Sequence, residues 1–408
     1  MPAAPSEKWR WRDGRRFQSS AVTAIANIET MNFFAALFTL TLTLLATSAL
    51  PAAPLKVYLL VGQSNMEGHA KISSFDHIGM DPKTAPMLRE MRNEDGTPRI
   101  CDKVWISFFS GSKETSGESH GPLTAGYGSR RNPTELGEKI GPEFTFGIYM
   151  QKHVKEPILI IKTAWGGKSI HTDFRPPSAG PYVFSKSQLE KYEKQGKEVA
   201  QIKTDRTEAT GKYYRLMLEH VRKVLADPAR VCPAYDAKEG YELAGFVWFQ
   251  GWNDMVASDV YPTRDQPGGY DAYSEVLAHF IRDVRRDLEA PKLPFVIGVM
   301  GAGGPTADYG PSQQRYQAVH ENFRSAMAAP ATMPEFRGNV FAVRTENCWA
   351  PELDVVAKKK KETPDELTEH DLELLKGITN ADYHYKGSAK ILGCIGKAFA
   401  DALASAAE

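Results

Sequence analysis

The chain has 408 residues, with 50 basic and 50 acidic side chains and a formal net charge of +0. That balance gives no reason to expect a nucleic-acid or acidic-polymer partner. Hydrophobic residues at 42% and charged residues at 25% are those of an ordinary soluble globular protein, not of a disordered or fibrous chain.

Residues 1–30 are polar and arginine-rich, and Phe33 to Leu45 is an apolar run too short to span a bilayer comfortably. Small residues follow, Ala46, Ser48 and Ala49, then Pro51. This order predicts a secretory signal peptide cleaved between about Ala46 and Ala53; the rival reading is an uncleaved N-terminal anchor. The chain therefore divides at 1–53, an extension and signal, and 54–408, one large domain. The protein is expected in a periplasm or outside the cell, with no membrane span left after cleavage.

From there, short apolar runs alternate with amphipathic stretches. Val57 to Val61 reads as a strand, as do Asp102 to Gly111, "PILIIKTAWGG", "LAGFVWFQGWND", "PFVIGVMGAGG" and "GNVFAVRTEN". Helical spacing marks "EFTFGIYMQKHV", a charged region from about Ser187 to Ala226 broken near Gly211, "YSEVLAHFIRDVRRDL", "SQQRYQAVHENFRSAMA" and the closing "GSAKILGCIGKAFADALASA". Ser112 to Pro142, rich in Gly, Ser and Pro, reads as a long loop. Lys358 to Lys361 reads as a solvated helix face. Buried strands between amphipathic helices predict an α/β domain with a parallel sheet covered on both faces. Such sheets bind ligands outside the carboxyl ends of their strands.

Three strand ends carry unusual polarity: Gly62-Gln63-Ser64-Asn65, Trp165-Gly166-Gly167, and Gln250-Gly251-Trp252-Asn253-Asp254. A fourth element, "NADYHY", places His384 just before the last helix. A serine hydroxyl becomes a nucleophile when a base takes its proton, and histidine is the usual base near neutral pH. The oxyanion that then forms needs preorganised donors, which a backbone N–H after glycine and an asparagine amide can supply. Ser64, His384, the Gly166/Gly167 turn and Asn253 thus supply nucleophile, base and hole. Taken singly, each has a plainer reading as a helix cap, a tight turn or a structural hydrogen-bonder.

The ordered set resembles the SGNH hydrolase superfamily. "LLVGQSNMEG" resembles the first block of the sialate O-acetylesterase-like family of carbohydrate esterases. The resemblance spans about Lys56 to Ala404. It implies a three-layer α/β/α, flavodoxin-like fold and deacetylation of O-acetylated carbohydrates through an acyl-serine, with no metal or cofactor. Carried over by position, Ser64 is the nucleophile and His384 the general base. The Ser64 N–H, a Gly166 or Gly167 N–H and Asn253 form the oxyanion hole, while Gln63, Gln250 and Trp165 support the loops or line the substrate site. Two departures stand out. Trp252 occupies a position where relatives often carry glutamate. Ala381 lies three residues before His384, where the family pattern has aspartate. Asp382, two before, leaves both a Ser–His dyad oriented by a backbone carbonyl and a triad through Asp382 open.

Trp165, His171, Asp173 and Arg175 either line a sugar pocket or build their loop, and Glu143 either caps the helix it opens or contacts the site. No metal-binding or phosphate-loop spacing occurs. Two other readings of the fold are a lipase- or thioesterase-like hydrolase, which the polar loops disfavour, and a non-catalytic sugar-binding module. Cys101, Cys232, Cys348 and Cys394 form no C-x-x-C pair, and export permits disulfides whose pairing the spacing leaves open.

Overall fold

The computed structural model describes residues 53–111 and 116–406. The signal segment expected within 1–53 lies almost wholly outside the described residues. Seven strands form the central sheet: β1 (Leu55–Gly62), β2 (Val104–Ser110), β3 (Gly117–Pro122), β4 (Ile158–Ala164), β5 (Tyr241–Phe249), β6 (Phe295–Val299) and β7 (Val340–Arg344). Their order is β3-β2-β4-β1-β5-β6-β7. All neighbours run parallel except β3, which pairs antiparallel with β2 at one edge. From β1 the chain winds outward through β5, β6 and β7 on one side, while β4, laid down after β2 and β3, lies between β1 and β2 on the other, so the loops after β1, β4 and β5 flank a switch point where ligand crevices form.

Helices cover both faces, completing the expected three-layer α/β/α fold. On one face lie α1 (Glu143–His153) and α5 (Ala389–Ser405); on the other lie α2 (Lys212–Ala226) and α3 (Asp271–Asp287), with α4 (Gln317–Ala328) packed beside α3. Alternation along β5 shows why both are needed. Phe246 and Trp248 meet Phe280 of α3, while Phe249 meets Phe399 of α5. A strand apolar on both sides requires a helix on each.

Two departures from the sequence expectation concern loops. The 112–142 stretch contains edge strand β3 and a short strand, Lys139–Ile140, paired with Ala70–Lys71. The charged region before β5 is three helices, broken at residues 195–198 as well as at Gly211, whose φ of 68° stops the helix before α2. Lys359–Lys361 do occupy the last turn of a helix, Pro351–Glu362. One disulfide joins Cys348 to Cys394, tying the segment after β7 to α5; Cys101 and Cys232 are buried and free. Among the described residues, no helix is long and apolar enough to cross a membrane.

Candidate active site

The sheet register brings three loops to one height. Gly62 pairs with Ala164 on one side and Phe249 on the other, so Ser64, Trp165-Gly166-Gly167 and Gln250-Gly251 leave the sheet together. The approach is close: a Cβ on Gly62 would lie 2.1 Å from the Phe249 carbonyl oxygen. Ser64 opens a one-turn helix, Ser64–Glu67, so its own N–H has no intrahelical partner. It is 9% exposed.

Gln63 clamps the first loop to the third. Its Oε1 accepts from Gln250 Nε2 (3.2 Å) and from the Gly251 and Asn253 N–H groups (3.0 and 3.4 Å). Its Nε2 donates to Asn253 Oδ1 at 3.0 Å and reaches Ser64 Oγ at 3.5 Å. With Oδ1 engaged, the Asn253 NH₂ is free to donate elsewhere. Gln250 extends the clamp to the second loop, donating to the Lys168 carbonyl (3.0 Å) and to Asp254 Oδ2 (2.6 Å). The buried Asp254 carboxylate also accepts from the Ile170 and His171 N–H groups and from Tyr261 Oη. Four donors on one carboxylate hold loops two and three in a single orientation.

The glycine turn divides its roles. The Gly166 N–H faces the Glu67 carboxylate, and a Cβ on Gly166 would sit 3.8 Å from Ser64 Cβ. Gly167 has a φ of 73° and open space beside it. Burial raises the Glu67 carboxyl to about 7, against the pull of Lys162, Arg130 and the Gly166 N–H.

Behind the serine turn lies a buried ion pair. Lys162 of β4 and Glu143 of α1 are both fully buried and meet at 2.6 Å. The Lys162 ammonium also donates to the carbonyls of Glu67 (2.9 Å) and Tyr127 (2.8 Å), and Glu143 accepts the Gly141 N–H. Glu143 is thus less a helix cap than the counter-charge of a lysine that holds the Ser64–Glu67 turn.

His384 arrives on a turn, Asp382–Gly387, that packs against the Ser64–Glu67 helix. Tyr385 and Lys386 adopt left-handed φ values of 52° and 58°, each costing about 1–3 kcal/mol for a non-glycine residue. The surroundings impose them. Tyr385 is fully buried, and its Oη accepts the Gly301 N–H (2.8 Å) and bonds Thr345 Oγ1 (2.7 Å). Lys386 pairs with Asp354 (2.9 Å) and Asp382 (2.7 Å).

That last pair bears on the two arrangements the sequence left open for Asp382. Its side chain is 75% exposed and turns to Lys386, not to the imidazole. His384 Nδ1 instead meets Asn380 Oδ1 at 2.9 Å. The same oxygen accepts the Ala381 N–H at 2.8 Å, which fixes the amide's orientation, since only an oxygen can face that donor. His384 Nδ1 must then carry the hydrogen, and Nε2 holds the free lone pair. No Ser64–His384 hydrogen bond forms among the described residues. Burial, aided by the charge of Lys139, lowers the His384 imidazole to about 4.

Of its two readings, Trp165 takes the loop-building one. It is 2% exposed and packed among Phe109, Phe174 and Tyr213, so it builds its loop and does not face substrate. Asp173 bonds Ser169, and Arg175 bonds the Ala179 and Gly180 carbonyls, both within the same loop region. His171 and Asp173 do line a cavity of about 400 Å³, with Gly167, Thr172, Arg206 and Asn253. Three residues of the site went unremarked in the sequence: Glu67, inside the quoted first block, His69, one residue past its end, and Asn380, whose four-residue spacing from His384 was the available signal. Among the described residues, no group of His, Cys, Asp and Glu side chains could hold a metal ion.

An α/β sheet whose switch-point loops carry serine, glycine turn and asparagine, with a histidine brought in before the last helix, defines an SGNH-type ester hydrolase. The chain belongs to the family described as carbohydrate esterase, sialic acid-specific acetylesterase, whose model matches residues 54–346. It is an esterase of that family. Among solved structures it is similar to a protein of Arabidopsis thaliana (15% identity, 86% of this chain and 98% of that one, TM-score 0.41). It is also similar to a carbohydrate acetylesterase of Xanthomonas citri (14%, 76% and 57%, 0.39) and to NanS (15%, 72% and 79%, 0.35). No curated protein matches the chain.

Proposed function

We propose that this protein is an exported carbohydrate O-acetylesterase that works through an acetyl-serine intermediate. The observation that carries the mechanism is the His384–Asn380 bond, which leaves Nε2 unprotonated on the turn packed against Ser64. Ser64 Oγ attacks the acetyl carbonyl carbon while His384 Nε2 takes its proton. The oxyanion is held by the Ser64 N–H, the Asn253 amide and the Gly167 N–H, since the Gly166 N–H is engaged by Glu67. Collapse breaks the bond to the sugar oxygen, which takes the proton from His384. Water then attacks the acetyl-serine, giving its proton to His384, and acetate leaves as Ser64 recovers its hydrogen. Asn380 positions the imidazole in the place a carboxylate takes in the Ser-His-Asp arrangement. Export rests on the sequence of residues 31–53.

The test is acetate release from acetylated xylan, acetylated sialic acid and p-nitrophenyl acetate. The unaltered protein is expected to act on the small ester and on at least one of the acetylated sugars. Ser64→Ala, folded by circular dichroism, is expected to lose essentially all turnover. Unchanged turnover in that variant would remove Ser64 from the mechanism.

A further inference from the structure

A second cavity, of about 680 Å³, adjoins the site and is used by none of these steps. Trp252, next in the chain to Asn253, and Tyr383, next to His384, stand on its wall with Tyr309, Tyr316, Arg264 and Arg315. The Tyr383 ring is 4.4 Å from the His384 ring and 5.5 Å from that of Trp252, so the cavity's wall abuts the base. Its volume lies within the ~300–1,000 Å³ typical of small-molecule sites and far exceeds what an acetyl group needs.

The aromatic rings divide into buried and partly exposed. Tyr309 is pinned by His320 Nδ1 at 2.6 Å and by Arg324. Tyr316 and Tyr383 are 45% and 43% exposed. Partly exposed aromatic rings grouped round one concavity, with the Tyr316 ring held by Arg315 and His320, mark a binding surface more than a core. The guanidinium groups of Arg264 and Arg315 make no ion pair among the described residues, and Arg315 lies over the Tyr316 ring at 4.6 Å. Flat apolar faces bordered by fixed donors suit a pyranose ring, whose axial C–H face stacks on an aromatic while its hydroxyls accept hydrogen bonds at the rim.

We propose that this cavity is a glycan-chain subsite, holding the sugar unit next to the acetylated one. The enzyme is then built for acetylated oligo- or polysaccharides more than for free acetylated monosaccharides. This rests on the acetylesterase reading for the direction of the chain, but the subsite can be read without turnover.

The experiment is calorimetric titration of Ser64→Ala protein with xylo-, manno- and chito-oligosaccharides of one to four units. Affinity in at least one series should rise about tenfold from one unit to three, the order of one well-made aromatic stack. Adding Tyr316→Ala should abolish that gain, and adding Tyr316→Phe, which keeps the ring, should retain it. Absence of a gain in every series, or a gain that survives Tyr316→Ala, overturns the subsite. Acetate release from p-nitrophenyl acetate by the unaltered protein is read separately. Length-dependent binding without acetate release would keep the subsite and remove the esterase mechanism; acetate release without length dependence would do the reverse.

Discussion

His384 lies flat on His69, with ring centroids 3.9 Å apart and planes within 6° of parallel. Burial holds both rings neutral, His69 down to about 3 and His384 to about 4, with Lys139 opposing protonation of each. In the proposed mechanism the charge that forms on His384 as it takes the serine proton lies against a neutral ring rather than beside a second cation. Because the ring orienter is the neutral Asn380, no carboxylate stabilises that charge from the other side.

The stack makes a prediction about shape. His69→Ala should lower kcat/KM on p-nitrophenyl acetate by about tenfold or more, as the imidazole loses its stacked backing. His69→Phe keeps a flat ring there and should recover most of the loss. Steady-state kinetics of the two variants decide it, and full activity in His69→Ala would show that the stack is only packing.

The lowered His384 value predicts the acid side of the pH profile. A histidine at its ordinary value near 6.5 is half protonated there and useless as a base below it. Here kcat/KM should hold through pH 6 and fall only toward about 4. Lys139→Gln removes a repelling charge, so the acid limb should move to higher pH by a few tenths of a unit. Stability follows the same sign. Between about 6.5 and 4 the unfolded chain binds protons that the folded His69 and His384 refuse, so stability present above 6.5 is lost as the pH falls. A profile falling at pH 6.5, unmoved by Lys139→Gln, would contradict the electrostatics.

His384 Nδ1 bonds Asn380, while Asp382 pairs with Lys386. Asn380→Ala frees the His384 tautomer and should cost about 10²-fold or more in kcat with little change in KM, by analogy with loss of the orienting member of a triad. Asp382→Ala removes an exposed carboxylate from Lys386, which keeps Asp354, so its effect on stability should be at most about 1 kcal/mol. Its effect on kcat should be smaller still than that of Asn380→Ala. Equal losses in both variants would return Asp382 to the mechanism.

Much of this was legible in the residues, and for physical reasons. Apolar runs such as Val57–Val61 must be buried, and a parallel sheet must put its ligand at the carboxyl ends, so Ser64, Gly166 and Asn253 could be placed on one edge before any coordinates. Long-range pairings were not legible. The partner of His384 depended on two consecutive left-handed residues, Tyr385 and Lys386, which no propensity predicts and which only burial of Tyr385 and the ion pairs of Lys386 sustain. That reversal leaves Asn380 beside the ring, bonded to its Nδ1. The partner of Lys162, mid-strand in an apolar run, was equally hidden, because Glu143 lies on a helix packed over that face.

The Lys162–Glu143 pair carries the last prediction. Both groups are fully excluded from water, so removing one charge leaves the other buried and uncompensated, at a cost of about 3–5 kcal/mol. Glu143→Gln should therefore lower the urea midpoint strongly. Lys162→Met with Glu143→Gln should restore much of that stability, because neither charge then remains in the core. Activity should part company with stability in this pair of variants. Lys162 Nζ also holds the Glu67 carbonyl at 2.9 Å, at the end of the helix that Ser64 begins. The double variant regains its fold but not that tether, and a turn loosened by even an ångström at a nucleophile costs rate steeply. Kinetics and denaturation measured on the same samples test the separation: a double variant that is both stable and fully active would show that Lys162 serves the core alone.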